Sequence, residues 1–320
     1  MGLQNRQYRL PQQQFWNTTD DFPAITALHS IPGTPALCHS RRSPSCTARL
    51  ANVQSPSRWR YAVPLFACNN VREPMQMIQE MQSQGQWLFR WRSYLPLLFL
   101  PLFVPALVVY QYPFGTHVAD LIWEGFCLTV GLFGVVIRCL VIGYAPVGTS
   151  GRNTKSQIAD TLNTKGMYSL VRNPLYLGNF FIWAVPILFL CTWWLPVIYL
   201  LAFILYYERI IVTEEAFLSQ KFGDDYVQWT SRTPAFFPKH LRWQQPDLSF
   251  SWKHIVRREY HGLFGLIAVM TVLEFVGDFV VHRTIVIDPV WATLFTLGAI
   301  FYLVVRFLVK YTGILHVEGR

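Results

Sequence analysis

The stretch that decides the fold is Lys165 to Gly178, KGMYSLVRNPLYLG, read together with the apolar block that follows it and the acidic pair Glu214-Glu215. Leu175 to Val212 is almost unbroken apolar sequence, interrupted only near Cys191-Thr192-Trp193. A polar segment marked by Gly and Pro therefore enters a membrane hairpin, and an acidic pair leaves it. Both ends of a hairpin lie on the same side of a bilayer. Motifs far apart in sequence can then meet at one membrane face, which is the geometry of an active site at that face.

Composition agrees. Of 320 residues, 52% are hydrophobic and only 14% charged, against about 25% charged in a soluble domain. The net charge of +9 points to cytoplasmic loops and anionic lipid headgroups rather than nucleic acid, because the basic residues are scattered among the spans. Six cysteines, at 38, 46, 68, 127, 139 and 191, form no C-x-x-C pair. Their spacing fits neither a zinc site nor a disulfide scaffold, and no metal site is expected. Cys127, Cys139 and Cys191 fall in apolar runs and read as buried spectators.

Residues 1–74 differ from the rest, with eight prolines, eight arginines, no lysine and no sustained helical or strand period. They read as a disordered leader, or as an over-extended start with translation beginning at Met75, Met77 or Met81. After them come six apolar segments near the length of about 20 residues that a span requires. These are Tyr94–Tyr110, Val118–Ala145, Leu175–Cys191, Trp193–Val212, Gly262–Val281 and Val290–Val309. The expected fold is an all-α polytopic transmembrane bundle of about six spans, with cytoplasmic loops forming the site. Residues 86–240 make its core and 241–320 an additional two-span hairpin. Within that hairpin Glu274 and Asp278 sit one turn apart, and Arg306 lies on the other helix. Acids inside a membrane pair with something, so an ion pair to Arg306 is expected, with a polar lining for a headgroup path as the alternative.

Orientation follows from Lys and Arg. Arg152, Lys155, Lys165 and Arg172 lie between the second and third segments, and seven more basic residues lie between the fourth and fifth. The alternate connections offer only Arg283. Both termini and both long polar loops are expected in the cytoplasm.

The loop Gly143–Lys165 is rich in Gly, Ser, Thr and Asn, and its glycines permit close approach to a ligand. It carries no Walker or dinucleotide-binding pattern, and alone it reads as a linker. In Arg172-Asn173-Pro174, proline suits the first turn of a helix, with Asn173 as cap. Free backbone N–H groups and Arg172 at that start would suit an anion; a capped helix with Arg172 snorkelling to lipid phosphate is the plainer alternative. On the helix leaving the hairpin, Glu208 and Glu215 share a face. Acids at a membrane boundary are functional candidates, and a solvated acidic turn is the plainer reading. The stretch KFGDDYVQWTSRTPAFFP alternates aromatic and polar residues, with Tyr226, Trp229, Phe236 and Phe237 placed to sit near headgroups.

Taken in order, G-x-Y-x-x-x-R-N-P-x-Y-x-G at Gly166–Gly178, a hairpin, Glu214-Glu215, F-G-x-x-Y and T-P-x-x-x-P resemble the superfamily of isoprenylcysteine carboxyl methyltransferases and phospholipid methyltransferases. The resemblance covers roughly residues 118–240. It implies a multi-span enzyme that binds S-adenosylmethionine at the cytoplasmic membrane face and takes a lipid acceptor from the bilayer. By position it implies cofactor roles for Gly166, Tyr168, Asn173, Pro174, Tyr176, Gly178, Glu214 and Glu215. Catalytic roles fall on Arg172, Asn173, Glu214 and Glu215, and substrate contacts on Tyr226 and Arg232. Family members usually carry histidine where this chain has Asn173, and asparagine cannot carry a proton or a charge.

Methyl transfer from a sulfonium is an in-line displacement that needs alignment and exclusion of water. A carboxylate or phosphate is already a nucleophile, whereas an amine must lose a proton, and His240, His254 and His261 lie beyond the matched core. The expected activity is therefore O-methylation of a lipid or lipid-linked carboxylate or phosphate, including a lipid A phosphate, at the bacterial inner membrane. Phospholipid N-methylation comes next, then small-thiol methylation. A nicotinamide-dependent membrane reductase and a non-catalytic scaffold are the readings from other classes.

Overall fold

The structure is a computed structural model that describes residues 72–319, apart from 93, 147–148, 150–156 and 158. The expectation for the leader therefore lies almost wholly outside the described residues. Those residues form helices and connecting loops with no strand. The helices are α1 (Arg72–Trp91), α2 (Leu100–Val108), α3 (His117–Tyr144), α4 (Pro174–Phe189), α5 (Trp194–Phe222), α6 (Asp224–Arg232), α7 (Trp252–His282) and α8 (Pro289–Tyr311).

Their boundaries follow local chemistry. Thr116 caps α3 by accepting from Ala119 N–H at 3.2 Å, and Ser251 caps α7 through His254 N–H. Asp288 accepts from both Val290 and Trp291 N–H ahead of Pro289, which opens α8. Gly223, at φ +53°, turns the chain between α5 and α6.

Four helices, α3, α5, α7 and α8, are long and apolar enough to cross a membrane. The expected first span is not straight. Gln76–Trp91 and Leu95–Val108 bend by 91° where they meet, and counting them as one span would give five. Pro96 and Pro101 each open a short helix, and Pro105 lies within α2, so the prolines break the run into pieces that a single helix would have joined. The third expected span, α4, has only 16 residues, about 24 Å of helix.

α3 packs along α4 and α7, α4 and α5 form the hairpin, and α1 lies on α5. The centre is apolar, with Cys127, Val185, Phe189, Leu195, Leu266 and Met270 buried together. On α8, by contrast, Leu297, Ile300, Leu303, Val304 and Phe307 are exposed. That distribution suits a helix whose surroundings are lipid tails, where apolar side chains need no protein cover.

Two expectations fail here. Cys191 is exposed at the hairpin tip rather than buried, because the turn between α4 and α5 puts it at φ +49° on the outside. The ion pair with Arg306 is not formed. Arg306 is exposed and its Nη1 donates to Tyr302 one turn away, whereas Glu274 and Asp278 are buried on the face of α7 turned toward the α3 acids.

Candidate active site

The polar loops converge as the hairpin geometry requires. The motif segment 165–173 is held by the later segment 234–247 through Gly166 N–H to Gln244 O (2.9 Å), Arg172 N–H to Pro234 O (2.8 Å) and Asn173 N–H to Ala235 O (3.2 Å). Asn173 adds its side chain, with Nδ2 donating to Ala235 O at 3.3 Å. It occupies the cap position of α4 but makes no side-chain cap. The N–H groups of Arg172 and Asn173, which precede the helix, are thus spent on carbonyls.

A cavity of about 550 Å³ opens beside this junction. Of the residues named from sequence, Tyr168, Arg172, Asn173, Pro174, Tyr176, Glu214, Glu215 and Tyr226 line it. Gly166, Gly178 and Arg232 do not. Gly166 lies under Trp243 and Pro246, and Arg232 turns back to Gln228 O. Gly178 serves helix packing: a Cβ there would sit 2.6 Å from Arg138 Cγ and 2.9 Å from Gly134 O.

The two acids behave differently. Glu214 accepts a 2.6 Å hydrogen bond from Tyr176 OH. Glu215 Oε1 lies 2.9 Å from Arg172 Nη1 in an ion pair. Arg172 Nε is buried and has no acceptor among the described residues. A cationic donor with one N–H left over and a carboxylate therefore stand side by side. Tyr226 lies beside them, and burial pushes its phenol and that of Tyr168 above the ordinary range, so both stay protonated hydrogen-bond donors at neutral pH.

Sequence reading missed the deeper wall. The Tyr176 ring packs 4.6 Å from that of Tyr207, whose hydroxyl accepts from Asn179 Nδ2 at 3.2 Å. Asn179 Oδ1 accepts from Arg138 Nη1 at 2.6 Å, and Arg138 Nε and Nη2 reach both oxygens of Glu259 at 2.8 and 2.7 Å. All of these line the cavity, as do Gln157, Ala159 and Thr161 of the loop that alone read as a linker. The available signal was Arg138 itself, an arginine well inside an apolar span.

With this geometry in place, comparison with known proteins decides the family. Residues 126–225 match the family model described as phospholipid methyltransferase. Those residues belong to the isoprenylcysteine and phospholipid methyltransferase superfamily. The Schizosaccharomyces pombe protein-S-isoprenylcysteine O-methyltransferase is 37% identical over 78 residues, covering 24% of this chain and 33% of that one. The cobalt-zinc-cadmium resistance protein CzcN of Cupriavidus metallidurans is 36% identical over 127 residues, 39% of this chain and 53% of the relative. The nickel-cobalt-cadmium resistance protein NccN of Alcaligenes xylosoxydans xylosoxydans is 37% identical over 118 residues, 35% and 50%. The chain thus spans about half the length of these two relatives. No solved structure matches. The segment that matches the phospholipid methyltransferase model, seated in apolar helices, makes this an integral membrane protein. α7, which supplies Glu259, lies outside the matched segment.

Proposed function

We propose that the chain is an S-adenosylmethionine-dependent methyltransferase acting at the cytoplasmic face of a bacterial inner membrane. Its acceptor is a lipid or lipid-linked carboxylate or phosphate. The observation that carries this reading is Arg172 Nε, buried in the cavity wall without an acceptor among the described residues, beside the carboxylate of Glu215. A buried polar atom without a partner is costly, and a guanidinium beside a carboxylate matches the carboxylate and ammonium of an amino-acid moiety. Arg172 would hold the carboxylate, Glu215 the ammonium, and the Tyr176 and Tyr207 faces favour a nearby cation. S-adenosylmethionine supplies an electrophilic methyl group on a sulfonium. The chain's own part is to hold donor and acceptor in line and exclude water. An anionic oxygen needs no base, and no histidine lines the cavity. Phospholipid N-methylation is the second reading, favoured by the carboxylate of Glu214 in the wall, which would take a proton from an amine.

The test is incubation of purified protein with methyl-labelled S-adenosylmethionine and bacterial membrane lipid. Label in the lipid fraction that mild alkali releases as volatile methanol identifies a carboxylate ester. Alkali-stable label on a phosphate-bearing lipid identifies phosphate methylation, and on an amine headgroup the second reading. Folded protein that transfers no label and binds nicotinamide cofactor instead would overturn the proposal.

A further inference from the structure

At the other end of α3 a second group of polar side chains is buried in the bundle. Asp120 lies 18 residues before Arg138, about 27 Å along the helix. Asp120 and Glu124 on α3 and Glu274 and Asp278 on α7 are each 2 or 3% exposed. One carboxylate oxygen from each of Asp120, Glu124 and Glu274 falls within 4.8 Å of the others. Like charges converge this closely, away from water, only around something that neutralises them. Among the described residues no salt bridge to Lys or Arg reaches Glu124, Glu274 or Asp278. A separate observation points to a ligand: Glu124 Oε1 is fully buried, and among the described residues no donor reaches it.

The outer oxygens, meanwhile, are carefully held. Trp291 Nε1 donates to Glu124 Oε2 at 3.0 Å, Tyr110 OH to Asp120 at 3.1 Å, and Tyr112 OH to Asp278 at 2.6 Å. Gly277 admits the Tyr110 ring, since a Cβ there would lie 2.7 Å from it. Outer donors that fix the orientation of converging carboxylates are the usual support of a metal site. Tyr112 OH also lies 2.8 Å from Nε2 of exposed His282, which gives the cluster a polar edge at the surface.

We propose that Asp120, Glu124 and Glu274 form a divalent-cation site, distinct from the methyltransferase cavity. The ligand is a hard cation of the Mn²⁺ or Mg²⁺ kind, because the three donors are all carboxylate oxygens. Its charge offsets most of that of the three converging carboxylates and ties α3 to α7.

The test is titration of chelator-treated, detergent-purified full-length protein with Mn²⁺, followed by electron paramagnetic resonance. Saturable binding is expected, weakened at least about tenfold by Glu124→Gln and by Glu274→Gln and about tenfold by Tyr110→Phe. Exposed Glu208→Gln is expected to leave it unchanged. Added Mn²⁺ is expected to raise the unfolding temperature of the wild type, which keeps the test decisive if a variant fails to fold. Folded wild type that shows no saturable binding and no such shift would overturn the site. So would glutamine variants that raise the unfolding temperature without metal, the mark of carboxyls neutralised by shared protons.

Discussion

Glu214 and Glu215 are adjacent in sequence but do different work. Glu214 accepts from Tyr176 OH, while Glu215 is ion-paired with Arg172, whose Nε is still without an acceptor among the described residues. Glu215→Gln and Arg172→Gln are therefore expected to weaken S-adenosylmethionine binding by about tenfold to a hundredfold, the loss of a charge-assisted contact. Tyr176→Phe leaves Glu214 with one partner fewer and is expected to lower stability by about 1–3 kcal/mol, read from thermal unfolding in detergent. Asn173 makes its site contact through Nδ2 to Ala235 O, a bond that a neutral imidazole N–H can replace. Asn173→His is expected to retain cofactor affinity within a few-fold at pH 8 and to add a pH dependence near 6.5, the ordinary histidine value, which the wild type lacks. Calorimetry across that range checks both parts.

At the scale of elements, α3 and α4 pack along each other. Gly134 and Gly178 face each other, and Arg138 passes beside Gly178 to reach Asn179 and Glu259. Gly178→Ala is expected to cost about 1–3 kcal/mol by overpacking, with cofactor affinity falling less than it does for Glu215→Gln. Here the limits of the sequence are physical. The order of motif, hairpin and acidic pair was legible because it depends on chain direction and apolar length alone. The helix starts at Thr116, Pro174, Ser251 and Asp288 follow from capping chemistry. Gly178 reads from the sequence as part of the cofactor motif, and its packing against α3 is not legible there, since what it meets lies on another helix. Asp120, Glu124 and Glu274 are likewise separated by 150 residues, from Glu124 to Glu274, and only the packing of α7 on α3 brings them together.

For the whole molecule, the C-terminal hairpin is part of the site's wall. Glu259 of α7 neutralises Arg138 of the methyltransferase segment. Glu259→Gln is expected to destabilise the protein by about 3 kcal/mol, the lower end for stripping a buried charge of its partner, and Arg138→Gln in the same chain to restore part of the loss. The orientation expected from the distribution of Lys and Arg has the α4–α5 tip facing away from the cytoplasm. Exposed Cys191 at that tip is then expected to react with a membrane-impermeant maleimide added to spheroplasts, in a chain whose other cysteines are replaced. Labelling only after membrane rupture would reverse the orientation.

The central claim is that the cavity beside Arg172 and Glu215 holds S-adenosylmethionine, and calorimetric binding to detergent-purified protein tests it most directly. The account predicts saturable binding by the wild type, weakened by about tenfold to a hundredfold in folded Glu215→Gln and Arg172→Gln. Well-folded wild type that binds nothing with membrane lipid present, or variants that bind as tightly as the wild type, would contradict it.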